Sequence, residues 1–196
     1  MDLINGSMWI VDVEGSGGTP PEIVQIALTE ICSLRLGERM WEWLIQPSAP
    51  ITPIATRIHG ISNDDVESAP TISDIADDIM MWTDGSVVIG HNVRVDVDII
   101  KRSIPEWKPA MAIDTLRIAK IVLPGMESYS LQKLGLRLGC SDEAARISGK
   151  THHSALYDSV LTALLFIEFL SRVPEKDRLS LVMDADILST RQGELF

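Results

Sequence analysis

Cysteines, long apolar runs and a basic leader are scarce or missing in this sequence. Cys32 and Cys140 lie far apart and form no CxxC pair, which argues against a disulfide framework or a cysteine-based metal site. The most apolar stretch, residues 160–170, contains Glu168 and is too short to span a bilayer. No basic, apolar leader opens the chain, so we expect a cytoplasmic protein with reduced thiols.

Basic side chains are also scarce, with 17 Lys and Arg against 28 Asp and Glu and a net charge of −11. Residues 1–89 carry 3 basic and 14 acidic side chains, whereas residues 90–150 carry 10 and 7. A chain of this charge would not coat a nucleic-acid duplex electrostatically. Its basic middle third could still hold a few phosphates beside a metal site, because bound cations reverse the local field.

The length of 196 residues and the apolar content of 45% are typical of one globular domain with a substantial core. Residues 1–7 precede a second methionine, Met8, which opens the first strand pattern. They are either a native extension or an added segment. We therefore expect one domain at residues 8–175, followed by a C-terminal tail at residues 176–196.

Three strand patterns open the domain, at residues 9–13, 22–34 and 38–46. The second and third alternate apolar and polar residues, and residues 35–37 (RLG) predict a short turn between them. This arrangement indicates an antiparallel meander. The Pro-, Ser- and Asp-rich segment that follows, up to residue 70, predicts an ordered loop with one helical turn.

Helical and strand patterns alternate over the rest of the chain. Helical spacing occurs at residues 72–82, 93–103, 114–122, 128–140 and 155–172, and short buried strands are predicted at residues 86–89 and 110–113. Ser154 is a natural N-cap for the longest helix. The order predicts an α/β fold in which one central mixed sheet, with three antiparallel strands and then parallel additions, carries helices on both faces.

Four carboxylates occur at positions that would direct them to a single site. Asp12 and Glu14 are two residues apart on a strand and therefore share a face. Asp96 opens a helical pattern just after a short strand, and Asp158 lies in the first turn of the longest helix. Four carboxylates without basic neighbours repel one another unless divalent cations lie between them. Two-metal phosphoryl transfer requires this arrangement.

These motifs resemble those of the DnaQ-like DEDDh family of 3′–5′ exonucleases. The matching elements are DxE at residues 12–14, HN with Asp96 five residues after the histidine, and HSALYD at residues 153–158. The segments ATRIHGIS, IDTLRIAK and YSLQKLGLRLG match further family elements. With a histidine five residues before the last Asp, the sequence is similar to exodeoxyribonuclease X and to the proofreading exonuclease subunit of bacterial DNA polymerase III. The resemblance implies a ribonuclease H-like fold and two divalent cations, Mg²⁺ or Mn²⁺.

The resemblance also implies a role for each residue of this set. Asp12, Glu14 and Asp158 would hold the cation that activates the attacking water. Asp12 would also bridge to the second cation, which Asp96 would bind directly or through water. His153 would be the general base, because an imidazole with a pKa of about 6.5 titrates near working pH. On one continuous helix His153 and Asp158 would lie roughly 140° apart, so we expect His153 in the preceding loop.

Substrate contacts are implied for three further residues. His59 would contact the terminal nucleotide, with stabilisation of a turn as the alternative. His91 would fix the backbone between strand and helix or contact the substrate. Gly15 stands near the first carboxylates where many relatives carry Thr, and Val95 stands where Phe is usual. The first departure removes a nucleotide contact and the second removes packing bulk.

The C-terminus carries a separate short motif. Gln192, Leu195 and Phe196 have the QxxLF spacing of peptides that bind the bacterial sliding clamp. Two adjacent apolar anchors on a polar tail are suited to a groove on a partner protein. The alternative is that Leu195 and Phe196 pack back on the domain.

The sequence therefore predicts a metal-dependent 3′–5′ exonuclease that hydrolyses single-stranded or frayed DNA 3′ ends to nucleoside 5′-monophosphates, in repair or proofreading. One alternative is an RNA-trimming 3′–5′ exoribonuclease of the same family. Another is a non-catalytic module that binds a clamp or a polymerase. The presence of all five residues of the catalytic set favours an enzyme.

Overall fold

The computed structural model describes residues 6–189 and shows a mixed sheet between two layers of helices. The strands are β1 (Ser7–Gly15), β2 (Ile23–Cys32), β3 (Arg35–Leu44), β4 (Val87–Gly90) and β5 (Met111–Asp114), in the order β3-β2-β1-β4-β5. β1 pairs antiparallel with β2, as β2 does with β3. β4 runs parallel to β1, and β5 runs parallel to β4. The predicted α/β fold with a central mixed sheet is confirmed.

The helices of the described residues are α1 (Pro53–His59), α2 (Asn63–Val66), α3 (Ile72–Thr83), α4 (Arg94–Ser103), α5 (Thr115–Val122), α6 (Leu131–Leu138), α7 (Ser141–Ser148), α8 (Ala155–Ser171) and α9 (Glu175–Asp184). α8 is the longest, with 17 residues, and packs against β1 and β2. None of these helices has the length and apolarity needed to cross a membrane.

Alternation along β1 divides the core into two layers. Met8 and Ile10 face a cluster that contains the buried side of α8. Trp9 and Val11 face the opposite cluster, which contains the apolar residues of α3 and α4. Because side chains alternate along a strand, the next even-numbered residues of β1 continue on the α8 side of the sheet.

The parallel strands fix where a site can form. β1, β4 and β5 end at the same edge of the sheet, because all three run in one direction. The chain turns from β4 into α4 at Gly90, where a Cβ would lie 2.7 Å from the Val93 side chain. Asp114 ends β5 and caps α5, where its carboxylate accepts hydrogen bonds from the backbone N–H groups of Leu116 and Asn92, both at 2.9 Å.

Two local predictions were wrong, and one helix was not predicted. The turn between β2 and β3 is formed by Ser33 and Leu34, with φ values of 51° and 54°, and not by residues 35–37. Two left-handed residues in succession suit the right-handed twist of a two-residue hairpin. The predicted loop contains α1 and α2, whose first turns are capped by Thr52 and Ser62. Sequence periodicity did not indicate α7.

Candidate active site

Asp12 and Glu14 lie near the end of the central strand β1, on the face covered by α8. Both side chains are half-buried. The pairing of β1 with β2 becomes irregular between Glu14 and Gly15, so the strand ends just after the second carboxylate. The DxE motif therefore presents its two carboxylates together where the regular sheet stops.

Asp96 reaches the same place from the other face of the sheet. It lies in the first turn of α4, which starts four residues after β4 ends. Its side chain is buried, and Oδ1 accepts a hydrogen bond of 3.1 Å from the backbone N–H of Val13, the residue between Asp12 and Glu14. This bond joins the start of α4 directly to the DxE motif.

Asp158 approaches from α8, where it lies in the first turn and is buried. Its Oδ2 accepts a hydrogen bond of 3.2 Å from the backbone N–H of His153. Its Oδ1 is buried and has no hydrogen-bond partner among the described residues. A buried carboxylate oxygen without a partner is costly unless a proton or a cation is bound there.

His153 lies in the loop before α8, as predicted, with a left-handed φ of 63°. Ligand atoms of Glu14, His153 and Asp158 all lie within 4.8 Å of one another. His153 Nε2 lies 3.0 Å from the side-chain amide nitrogen of Gln132 in α6, which donates to it when Nε2 is unprotonated. Gln132 lies in the segment YSLQKLGLRLG, but the match of that segment assigned no role to this residue.

The carboxyl groups share an environment that disfavours their negative charge. Burial, with Asp96, Asp158 and Glu14 next in importance, raises the pKa of Asp12 well above its usual range. Burial and then Asp158 raise the pKa of Glu14 to about 8. Burial also raises the pKa of Asp96 to about 8 and that of Asp158 to about 6. Repulsion between the carboxylates adds to the effect of burial at Asp12, Glu14 and Asp96.

The residues present fit divalent cations. Hard cations such as Mg²⁺ and Mn²⁺ prefer carboxylate oxygens, and the buried Oδ1 of Asp158 is an acceptor with no other partner in the described part of the chain. No salt bridge within residues 6–189 involves any of the four carboxylates. The set predicted from the sequence therefore converges on one site in which positive charge is lacking.

His59 and Gly15 border a cavity beside this cluster. The cavity has a volume of about 380 Å³ and is also lined by Glu14, Ile54 and Ile58. His59 Nδ1 accepts from the backbone N–H of Ile61 at 3.1 Å, so Nε2 carries the proton and donates to the Gly15 carbonyl at 3.3 Å. His59 thus stabilises the turn after α1 and also closes one side of the cavity.

His91 is held by two contacts inside the protein. Its Nδ1 lies 3.0 Å from the Thr115 hydroxyl, and its Nε2 lies 2.8 Å from the Tyr129 carbonyl. Both ring nitrogens are therefore engaged within the protein, and the role of His91 in fixing the backbone between β4 and α4 stays a prediction. Val95 is 61% exposed at the start of α4.

The start of α8 is not capped as expected. Ser154 occupies the N-cap position, but its side chain makes no capping hydrogen bond there. The Gln25 side-chain carbonyl of β2 accepts from the backbone N–H of Ala155 at 3.0 Å, and the Ser154 hydroxyl donates to Glu42 at 3.2 Å. Tertiary contacts thus replace the local cap.

The motif residues Gln192, Leu195 and Phe196 lie outside the described residues.

Comparison with known proteins finds relatives that include subunit epsilon of bacterial DNA polymerase III. The DNA polymerase III subunit epsilon of Rickettsia felis is 31% identical over 170 residues, which cover 81% of this chain and 72% of that protein. The DNA polymerase III subunit epsilon-like protein of Rhodobacter capsulatus is 30% identical over 168 residues, or 82% of this chain. The chain spans 23% of the length of that second relative.

Structural comparison agrees with the sequence comparison. A solved structure of exonuclease X in complex with 5′ overhanging duplex DNA superposes with a TM-score of 0.69 at 27% identity, over 89% of this chain and 99% of that one. The sequence profile of the RNase_T exonuclease family matches residues 9–166 of this chain, which include every carboxylate of the cluster. The chain therefore belongs to the RNase_T exonuclease family, with its ribonuclease H-like fold.

Proposed function

We propose that this protein is a divalent-metal-dependent 3′–5′ exonuclease that releases nucleoside 5′-monophosphates from DNA 3′ ends. The observation that carries the proposal is the convergence of Asp12, Glu14, Asp96 and Asp158 from β1, α4 and α8, with one buried oxygen of Asp158 left without a partner. His153 lies against the same cluster. This combination of acidic groups and one imidazole is suited to phosphodiester hydrolysis.

Each group of the site has a distinct part in the proposed chemistry. Asp12, Glu14, Asp96 and Asp158 would hold two cations, Mg²⁺ or Mn²⁺, which when bound supply charge stabilisation for the reacting phosphate. His153 accepts the proton of the attacking water as general base, since its ring lies within 4.8 Å of the ligand atoms of Glu14 and Asp158. The partly exposed ring can pass the proton to solvent.

The cavity beside Glu14 is suited to the terminal nucleotide. Ile54 and Ile58 lie one turn apart on α1 and are 68% and 53% exposed, so they offer apolar surface to a base. Gly15 leaves the floor of the cavity open, and a Cβ there would meet only ordinary contacts, the nearest at 3.5 Å. His59 lines the same cavity.

The acidic surface favours a short substrate segment over a long duplex. With a net charge of −11, the protein gains little from distant phosphates, so recognition depends on the few nucleotides at the 3′ end. We infer that single-stranded or frayed ends are the substrate, as in repair or proofreading. RNA 3′ ends are the alternative, since the four carboxylates do not distinguish the sugars.

A time course on 5′-labelled single-stranded DNA and RNA of identical sequence tests the proposal. With Mg²⁺ or Mn²⁺ we expect a ladder that shortens from the 3′ end, and with EDTA we expect the oligonucleotide to remain intact. The strand that is shortened faster identifies the preferred sugar. If both strands stay intact under every condition, the proposed activity is wrong and a role as a binding module is favoured.

The C-terminal motif supports a second, separate proposal, that Gln192, Leu195 and Phe196 bind a sliding clamp. Deletion of residues 192–196 should leave the rate on short oligonucleotides unchanged while removing retention on immobilised clamp. The matched control replaces Arg191 and Glu194, which lie next to the anchors, with Ala. Loss of activity on short oligonucleotides after the deletion would instead show that the tail is part of the folded domain.

A further inference from the structure

An open cleft on the outer face of α6 is lined by two basic side chains that have no ionic partner among residues 6–189. The cleft lies between the turn after α5 and the outer face of α6, with a volume of about 670 Å³. Lys133 and Arg137 line it, are exposed, and form no ion pair among residues 6–189. They lie four residues apart and therefore share one face of α6. Glu127 borders the cleft on the opposite side.

Helix α6 borders both the cleft and the catalytic cluster. Gln132, the residue before Lys133, contacts His153 across a distance of 3.0 Å. Arg137 lies five residues further along α6, a rise of about 7.5 Å along the helix axis. Lys133 and Arg137 therefore lie on the same helix as the residue that contacts the imidazole, one and five positions beyond it.

The composition of the cleft fits a polynucleotide strand. Lys133 and Arg137 form no ion pair within residues 6–189, so in a chain with a net charge of −11 their positive charges remain available to a polyanion. Leu136, which is 74% exposed, and Met126 add apolar surface next to those cations. Grooves that bind single strands combine positive charge along the backbone with apolar surface for the bases.

We propose that this cleft binds the phosphates of the single strand immediately upstream of the scissile bond, through Lys133 and Arg137. This proposal rests on the proposed exonuclease function, because it assumes that the 3′ end lies at the carboxylates. It assigns the two cations to backbone contacts, so the cleft contributes affinity that does not depend on base sequence.

Salt-dependent binding tests the cleft without requiring turnover. Binding of a labelled single-stranded DNA 20-mer is followed by anisotropy with Ca²⁺, at 50 to 300 mM salt, for the unaltered protein and for Lys133→Ala with Arg137→Ala. Loss of two phosphate contacts should lower the slope of log affinity against log salt by about 1.4. Alanine preserves the helix at both positions.

The control removes the same charge elsewhere. Lys108 precedes β5 at the edge of the sheet opposite the carboxylates, and Lys176 follows the far end of α8. Lys108→Ala with Lys176→Ala should leave the salt slope unchanged. An equal loss of slope in both double variants, or no loss in the first, would overturn the assignment. If Lys133→Ala with Arg137→Ala lowers the salt slope as expected but the unaltered protein does not cleave DNA, only the proposed function is contradicted.

A different set of contacts holds the loop that carries His153. Glu42 of β3 binds this loop at both ends: its Oε2 lies 3.0 Å from the Lys150 ammonium, and its Oε1 accepts from the Ser154 hydroxyl at 3.2 Å. The Gln25 side-chain amide of β2 donates to the same Oε1 at 3.1 Å. Gln25 in turn accepts from the backbone N–H of Ala155. We call these contacts the Glu42 network.

The Glu42 network determines where the imidazole can lie. His153 adopts a left-handed backbone conformation that non-glycine residues rarely adopt, so surrounding contacts must maintain it. Within the described residues, the hydrogen bonds of the His153 side chain and backbone N–H go to Gln132 and Asp158. The flanking residues Lys150 and Ser154 are both bound to Glu42.

We propose that Glu42 is a positioning residue that acts through His153, and this also rests on the proposed function. Glu42→Ala should lower kcat by about 10- to 100-fold with KM within about twofold, since a small misplacement of a catalytic group is costly. Glu42→Gln keeps an oxygen acceptor for Ser154 and should therefore lower kcat less than Glu42→Ala does. Glu168→Ala is the control, because it breaks the exposed Glu168–Arg172 pair of 2.7 Å in α8, far from the loop.

A double-variant cycle separates positioning from a general structural effect. If Glu42 acts through His153, Glu42→Ala should slow the His153→Ala protein little further. Multiplication of the two single effects would overturn the proposal. Hydrogen exchange of residues 150–155 gives a readout that needs no activity: faster exchange in Glu42→Ala than in Glu168→Ala is expected, and unchanged exchange would contradict the network.

Discussion

Asp12→Asn is expected to reduce DNA cleavage by roughly a thousandfold or more, while it makes the metal-free protein more stable. The loss follows from the place of Asp12 among Glu14, Asp96 and Asp158, where its carboxylate would hold a cation whose charge stabilisation is worth several kcal/mol. Stability should rise because the amide removes a buried charge from a cluster of like charges. Single-turnover cleavage and thermal unfolding measure the two effects.

The stability gain should depend on pH in a defined direction. The pKa of Glu14 is about 8, and that of Asp96 is also about 8, both raised by burial above their usual values near 4. A group whose pKa is higher in the folded state than in the unfolded state stabilises the fold. This contribution is complete when the pH is below the unfolded-state pKa, and it is lost as the pH rises through the folded-state pKa. In EDTA, the native protein should therefore lose stability between pH 4 and 8.

In EDTA at pH 8, the Asp12→Asn variant should have a Tm several degrees above that of the native protein, because a domain of this size gains about 2–4 °C in Tm per kcal/mol of stability. The difference in Tm should shrink toward pH 4. Mn²⁺ should raise the Tm of the native protein at pH 8 and raise that of the variant much less. Asp98→Asn is the matched control, because Asp98 lies two residues from Asp96 on the exposed face of α4. Equal Tm values in all three proteins would show that the carboxylates do not form one charged cluster.

Local sequence signals predicted most of the elements that position the site. An apolar run located β1, alternation of apolar and polar residues located β2 and β3, and helical spacing located α4 and α8 to within one or two residues. The carboxylates were identified by their positions on β1 and in the first turns of α4 and α8, and the resemblance to the DEDDh motifs implied that they form one site. Burial patterns and motif spacing are properties of short segments, so one sequence is sufficient to detect them.

The features that were not predicted depend on tertiary contacts or on very short segments. Gln132 and His153 are 21 positions apart, and Gln25 and Ala155 are 130 apart, so no local pattern links either pair. The turn at Ser33 and Leu34 uses left-handed conformations that neither residue type favours. α1 and α2 have seven and four residues, too few for a helical periodicity to be recognised.

His153→Ala is expected to lower the single-turnover rate by about 10²–10⁴-fold, the usual contribution of general acid–base catalysis. His153 lies within 4.8 Å of Glu14 and Asp158, and its ring is held by Gln132. In the proposed function the four carboxylates supply the ligands of the cations and the imidazole does not. Removal of the imidazole should therefore change the affinity for Mn²⁺ little. Calorimetric titration with Mn²⁺ beside rapid-quench cleavage gives the two quantities independently.

His152→Ala is the matched control for this experiment. His152 is adjacent to His153 and exposed, with ring centroids 4.8 Å apart in an edge-to-face arrangement, but no ligand atom of His152 belongs to the cluster. Its replacement should leave the rate within about twofold. If His153→Ala loses Mn²⁺ affinity in proportion to its rate, the imidazole is a metal ligand and the proton must leave by another group. A loss of rate with Mn²⁺ affinity intact would assign the proton transfer to His153.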